Sequence, residues 1–308
     1  NYGLGSPASK VDATEAQKIL GVLQSKGYND TFSDLDNYTK SDKAGIKLDW
    51  NISTKHKASV SWRMVNAKQL SGTSSASYLD SKSYAYDFSS KTNTIAGELQ
   101  SRFSDKVSNE LKASYVMVRD KRDPYGIAPM IQVNNVGGGS VTFGTERSSA
   151  ANGLDQNILT ITDNLTIYAG KHTLTFGTHN EFYKFKNLFI QDPYGSYYFS
   201  SPDDFYQFAN GVASYEKDGK TYNTLTRYRF GMANETVTGD KRWAAQFGAA
   251  QFGIYAQDKV IISDHFDVTY GVRIDIPVFF DTPADNADFN AYAQKVGWKV
   301  KTNQKLSS

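Results

Sequence analysis

The chain of 308 residues contains no cysteine, so disulfides and thiolate metal sites are excluded. It contains no apolar run of about 18 residues, which excludes a transmembrane helix and leaves a β-barrel as the one way to span a bilayer. Charge of one sign is not in excess: the formal net charge is +2, without the basic imbalance that a nucleic-acid partner calls for. The opening residues, NYGLGSPASK, lack the charged and apolar regions of a signal peptide. A mature protein, an internal segment and a cytoplasmic protein would all begin this way. What is abundant is aromatic: 14% of residues, with 20 Tyr and 18 Phe, although mean hydropathy is −0.52. A barrel wall combines these values, because only alternate residues meet lipid while aromatics gather at the two interfaces. A soluble β-sandwich shares the composition.

Strand length separates the two. From Gly248 to Pro277, Ala250, Phe252, Ile254, Ala256, Val260 and Ile262 alternate with Gln251, Gly253, Gln257 and Lys259. After Ser263-Asp264-His265 the series Phe266, Val268, Tyr270, Val272, Ile274 and Ile276 alternates with Asp267, Thr269, Gly271, Arg273 and Asp275. Each run exceeds the five or six residues of an ordinary strand and reaches the roughly nine to eleven needed across a bilayer. Three earlier stretches repeat the pattern. The first carries Ala44, Ile46, Leu48, Trp50 and Ile52, turns at Ser53-Thr54-Lys55 and returns through Ala58, Val60, Trp62 and Met64. The second carries Ile95, Leu99 and Phe103, turns at Ser104-Asp105-Lys106 and returns through Leu111, Ala113, Tyr115 and Met117. The third carries Leu159, Ile161, Leu165 and Ile167, turns at Ala169-Gly170-Lys171 and returns through Leu174, Phe176 and Phe182. It is the least regular, since Asp163 falls on its apolar register.

All these turns are short, whereas the connections between hairpins read as roughly 28, 38 and 60 residues, far above ordinary loops. Short turns on one side and long loops on the other is the asymmetry of outer-membrane barrels. The expected fold is all-β: an antiparallel transmembrane β-barrel segment of about eight long strands in four hairpins, with short helices in the long loops. Residues 1–43 read as a loop with a helix, 44–277 as the hairpins and 278–308 as a second loop with a helix. In the first, Asp12 and Glu15 resemble a capping box, Ala16, Ile19, Leu20 and Leu23 share a face, and Gly27 is the stop. In the last, Thr282-Pro283-Ala284-Asp285 is the expected start, Phe289, Tyr292, Ala293 and Val296 the apolar face, and Gly297 the end. The wall should turn Trp50, Trp62, Phe252, Ile254, Val268 and Ile274 outward and Lys47, Arg63, Gln251 and Arg273 inward, since the pleat alternates.

Chemistry for catalysis is missing from the pattern. His56, His172, His179 and His265 have no metal-ligand spacing, and no nucleophile elbow or zinc-protease helix appears. Asn134 to Ser140 is glycine-rich but lacks the Gly-Lys-Ser/Thr of a phosphate loop, so it reads as a flexible turn. No enzyme activity, cofactor or metal is expected. The candidate ligand site is a run of loop aromatics, Tyr194, Tyr197, Tyr198, Phe199, Phe205 and Tyr206, within which Ser201 with Pro202 looks like a helix start. Rings in an extracellular loop either stack on a ligand or pack the loop against itself.

The last hairpin resembles the barrel of TonB-dependent outer-membrane receptors. Tyr255, Gln257 and Asp258 fit a Tyr-x-Gln-Asp strand, and Tyr270, Gly271, Arg273 and Asp275 fit the returning Tyr-Gly-x-Arg-x-Asp strand. Ile276-Pro277 and the loop from Tyr194 to Gly211 are more similar to the Oar-like receptors of Bacteroidota. The resemblance implies a barrel of about 22 strands, an N-terminal plug, a TonB-contacting segment and a carboxypeptidase-regulatory-like domain. Since those N-terminal parts do not occur here, the expectation is a middle piece of such a barrel. Implied function is TonB-energised uptake of a nutrient, a glycan, peptide or similar, at the cell outer membrane. Implied partners are outer-membrane lipid, TonB through the N-terminal parts of the parent protein, and a surface-exposed accessory protein, with no nucleic acid. An ungated porin-like or structural barrel is the alternative, followed by a soluble ligand-binding sandwich.

Overall fold

The structure, a computed structural model, describes residues 2–32 and 35–302. In chain order the elements are α1 Ala13–Ser25, β1 Thr39–Asn51, β2 His56–Ser71, β3 Tyr78–Asp80, β4 Tyr86–Ser104, β5 Val107–Pro124, β6 Met130–Val136, β7 Gly139–Phe143, β8 Asn152–Ala169 and β9 His172–Phe189. There follow β10 Ser196–Phe199, α2 Pro202–Ala209, β11 Ser214–Lys217, β12 Lys220–Asn223, β13 Arg227–Arg229, α3 Glu235–Thr238, β14 Ala245–Ser263, β15 Phe266–Phe279 and α4 Ala287–Lys295. Eight of the strands form one antiparallel wall in the order β1-β2-β4-β5-β8-β9-β14-β15. The four hairpins and their turns are those read from the alternation.

Register puts the expected residues on one face: Ile46 pairs Trp62, Trp50 pairs Ala58, Ile254 pairs Ile274 and Val260 pairs Val268. These side chains are not sealed in a core; Trp50 is 66% exposed, Ile254 58% and Val272 74%. The polar face is the concave one. A recess of about 400 Å³ on it is lined by Lys47, Ser59, Arg63, Glu98, Lys112 and Thr162, drawn from β1, β2, β4, β5 and β8. An apolar convex face and a polar concave face are the two sides of a barrel wall, and rule out the sandwich.

The wall strands overrun their apolar stretches. With 19 residues, β4 extends roughly 60 Å at about 3.3 Å per residue, well beyond an apolar band of about 25 Å even when tilted. Its excess, like that of its neighbours, carries charge on the outward face: Lys68, Asp87, Lys121, Asp155 and Lys186 all sit on strands beyond the aliphatic rows. The connections are accordingly shorter than their sequence reading, spanning 72–85, 125–151 and 190–244. Alternation of apolar and polar residues ends where the strand leaves lipid, although the hydrogen-bonded ladder continues.

Those connections are not loose loops. They build a second sheet, β13-β10-β6-β7-β3, whose β6–β7 and β10–β13 pairs are antiparallel and whose β3–β7 and β6–β10 pairs are parallel. Helices α1 and α2 close over it. Ile19, Leu20 and Leu23 of α1 and Phe205 of α2 meet Leu79, Val133, Val136, Val141, Phe143 and Phe199 in a buried cluster. Capping is as the sequence indicates, with Asp12 accepting from the Thr14 and Glu15 amides and Ser201 from the Asp204 amide. Yet α1 is part of this core rather than a helix carried in a loop. The glycine-rich stretch likewise is the ordered turn of the β6–β7 hairpin. Gly137 has φ of 67° and lies where a Cβ would come 2.9 Å from the Asp12 nitrogen, so it is both conformationally and sterically required.

The last helix starts later than expected. Asn286 is its N-cap, accepting from the Phe289 amide at 3.0 Å, while Asp285 instead accepts from Asn290 Nδ2 and Thr302 Oγ1. Thr282 and Pro283 therefore precede the helix rather than start it. Of its expected apolar face only Ala293 is buried; Phe289, Tyr292 and Val296 are exposed. The polar tail beyond Thr302 lies outside the described residues.

Candidate functional site

Two groups of residues concentrate the chemistry, one in the long-loop subdomain and one on the last hairpin. In the subdomain, strand β10 alternates its rings between two faces. Tyr197 and Phe199 turn toward the helices, where Phe199 meets Phe205 and Phe208 at 5.5 and 5.3 Å between ring centroids. Tyr198 turns the other way and is covered by the guanidinium of Arg227, 4.1 Å from its centroid, with that of Arg229 at 5.9 Å. Tyr198, Phe199 and Phe205 are buried, so these three offer no accessible ring face. Tyr206 hydrogen-bonds Glu15 Oε1 at 2.7 Å and ties α2 to α1; burial and that bond push its phenol up. Tyr194 and Tyr197 keep accessible faces. The Arg242 guanidinium lies 5.7 Å from the Tyr194 ring and donates to its hydroxyl at 3.2 Å.

Structure adds residues to this surface that the sequence did not single out. Tyr228, 50% exposed, stands 4.8 Å from Tyr197, and Phe208 lies 6.3 Å from it. Tyr228, Arg227 and Arg229 belong to a three-residue strand with no periodicity long enough to notice. The surface is held by a partly buried ion pair. Asp192 accepts from Arg147 Nε at 3.1 Å, from Arg147 Nη2 at 3.0 Å and from Ser196 Oγ at 2.5 Å. Burial opposes its charge, but Arg147 and Ser196 together hold the carboxyl below the usual carboxylate range. Asp80, at the opposite edge of the same sheet, is the contrast: burial raises it to about 6, with Thr142 only partly offsetting.

On the last hairpin the seven motif residues divide between the two faces of the wall. Inside, Arg273 grips Asp275 with Nε at 2.8 Å and Nη2 at 2.7 Å, and its guanidinium lies 5.4 Å from the Tyr255 ring. The Tyr255 ring crosses Gly177 of β9, where any Cβ would clash with it at 2.3 Å, and its hydroxyl bonds Asn164 of β8. This stitches β8, β9, β14 and β15 together across the concave face. Gln257 and Gly271 pair directly in the ladder. Outside, Asp258 accepts from Tyr270 at 3.0 Å and bonds His172 Nδ1 at 2.7 Å while only 6% exposed. That Asp258 sits on the apolar register, between Ala256 and Val260, explains why Asp follows Gln in the motif: one residue serves each face.

No metal-holding cluster occurs among the described residues. The histidines are spent singly, His56 on Ser101 and His179 on Thr162. What the arrangement offers is a rigid wall with a polar interior and an aromatic, arginine-rich surface beside it. Fold and faces together define the wall of a membrane β-barrel. Residues 5–306 match the family model of the outer membrane beta barrel domain, and the chain belongs to that family. It therefore resides in the outer membrane, and its long-loop subdomain lies on the extracellular side by the asymmetry of such barrels. The outer membrane transporter YddB from Escherichia coli is similar in structure, with 11% identity and a TM-score of 0.48 over 77% of this chain. The chain spans 27% of the length of that transporter. No curated protein matches.

Proposed function

We propose that the protein to which this wall belongs is a TonB-dependent receptor of the Oar-like subgroup of Bacteroidota, importing a glycan, a peptide or a similar nutrient. The observation that supports this reading most is the extracellular subdomain. Three connections and α1 are committed to a packed core that holds a fixed aromatic surface beside the wall. An ungated pore gains nothing from such a structure, whereas a receptor must order its capture surface before ligand arrives. Ligand would meet Tyr194, Tyr197 and Tyr228, flanked by Arg227 and Arg242, rather than the buried rings of Tyr198, Phe199 and Phe205. Tyr206 acts in this reading as the tie between helices. The motif hairpin supplies rigidity to the wall. No catalytic step is assigned to the chain, and TonB would act through N-terminal parts of the parent protein.

The test is made in the full-length protein. Tyr197→Ala with Tyr228→Ala should weaken ligand binding by about tenfold, as expected when each ring contributes about 0.5–1.5 kcal/mol beyond its area, with barrel assembly unchanged. Deleting TonB should abolish uptake while leaving surface binding. Uptake that persists without TonB would mean an ungated barrel.

A further inference from the structure

The lipid-facing surface carries polar groups within its apolar rows in two places: at Asp258, whose carboxylate is answered by His172 and Tyr270, and in a broader sector with no such cation among the described residues. On β1, β2 and β15 the outward positions within the band are aliphatic or aromatic throughout, as at Leu48, Val60, Trp62, Val272 and Ile274. Across β5, β8 and β9 the same face carries Asn109, Asp163, Thr178 and Asn180. Register makes them contiguous: Leu111 pairs Asp163, Asp163 pairs Thr178, and Ile161 pairs Asn180. They lie amid the apolar rows, with Leu165 and Ile167 toward the short turns and Leu159 and Phe182 toward the extracellular side. Asn109 donates to Asp163 at 2.7 Å, Asn180 to Thr178 at 2.9 Å, and Thr178 to the Gly253 carbonyl at 2.8 Å. Among the described residues no cation pairs with Asp163. A carboxyl and two amides at this depth are costly against hydrocarbon, and the hydrogen bonds within the seam leave part of their capacity unused.

We propose that this seam is an interface between two copies of the chain within the outer membrane. The reason for a second copy is the mixture of partners the patch holds. Asn109 spends both amide hydrogens on Asp163 and the Asn164 carbonyl, whereas Asn180 gives one to Thr178 and keeps the other; the second Asp163 oxygen and the two side-chain amide carbonyls accept. A two-fold contact places the same patch against itself, so donors of each copy meet acceptors of the other without a cation from elsewhere. In lipid, apolar surface gives no drive to associate, and hydrogen-bonding side chains with close packing supply it. The flanking Leu165, Ile161 and Phe176 provide the packing rim. This inference stands on membrane residence alone and is independent of TonB coupling or of the ligand.

These 308 residues contain no cysteine, so the test needs only that any cysteine elsewhere in the full-length protein be replaced by serine. In the full-length protein in native outer membranes, Ile161→Cys with a short bis-maleimide should yield a crosslinked species of twice the monomer mass. Val272→Cys, on the far side of the wall, should not. Adding Asp163→Leu and Asn180→Val should lower the crosslinked fraction roughly tenfold, a loss of about 1.4 kcal/mol, while heat-modifiable migration still reports a folded barrel. Monomer alone at Ile161→Cys, or a crosslink to a protein of different mass, overturns the proposal. So does an unchanged crosslink in the triple variant. Should that variant fail to insert, the outcome with Ile161→Cys alone decides.

Discussion

In the wall, Leu48, Trp50, Ile254 and Val272 stand with more than half of their surface exposed, whereas in the subdomain Val133, Val141, Phe143 and Phe199 are sealed. Both regions are sheets rich in the same residue types. The difference lies in the solvent each was built for: the wall uses bilayer as its second layer, and the subdomain, standing in water, must supply helices α1 and α2 for that purpose. Buried apolar side chains in this chain are therefore concentrated in the part outside the membrane. A residue's exposure cannot be read as tolerance to change until its solvent is known.

The comparison can be broken most forcefully from the subdomain side. Phe199→Ala removes a ring that touches Phe205 and Phe208 and should cost about 3–5 kcal/mol. Limited proteolysis should then cut within 190–244 while the wall keeps its heat-modifiable migration. Next in size is a charge on the exposed face of the wall. Val272→Arg should lower barrel stability by about 2–4 kcal/mol in urea titrations in bilayers, whereas Gln251→Lys on the concave face should leave it nearly unchanged. The opposite ranking would make the concave side the lipid side.

Acidity sharpens the contrast within the subdomain. Asp80 is raised to about 6 in the folded state, above its unfolded value, so its charge opposes folding at neutral pH. Stability should rise as pH falls from about 6 toward 4 and then level off, with a total on the order of 3 kcal/mol. Asp192 is lowered, so the stability it contributes is present above the unfolded carboxylate value of about 3.9 and is lost as pH falls through its folded value. Asp80→Asn should remove the gain and keep the loss in a proteolysis profile against pH. The smallest effect expected is at the cap of α1. Asp12→Ala removes acceptors of two amides and should cost about 1 kcal/mol, read as earlier protease cleavage near Ala13.

Much of the wall was legible because a pleat with different solvents on its faces forces a period of two, and Trp50, Trp62, Phe252 and Val268 obey it. Where both faces are wet the period vanishes, so the extracellular ends of β2, β4 and β5 look like loops in the sequence. Asp163 and Asp258 were opaque for a related reason. Each interrupts an apolar register, and its partner, Asn109 or His172, lies on another strand. In the subdomain, the caps Asp12 and Ser201 were readable because capping is local. The assembly of α1 with β6, β7 and β10 was not, since its contacts join residues more than a hundred positions apart, as Tyr206 and Glu15 do. Loop aromatics therefore presented two readings from sequence, and only placement divides the buried Phe199 and Phe205 from the accessible Tyr194 and Tyr197.

The central claim is that the apolar face of the wall meets lipid and its polar face meets water. Nitroxide labels placed one at a time from Tyr270 to Ile276 in the full-length protein in bilayers, with any cysteine outside these 308 residues replaced by serine, test it directly. Collisions with oxygen should peak at Tyr270, Val272, Ile274 and Ile276, and collisions with a water-soluble nickel chelate at Gly271, Arg273 and Asp275. Equal accessibility along the strand, or shielding of the even positions from both reagents, would contradict it.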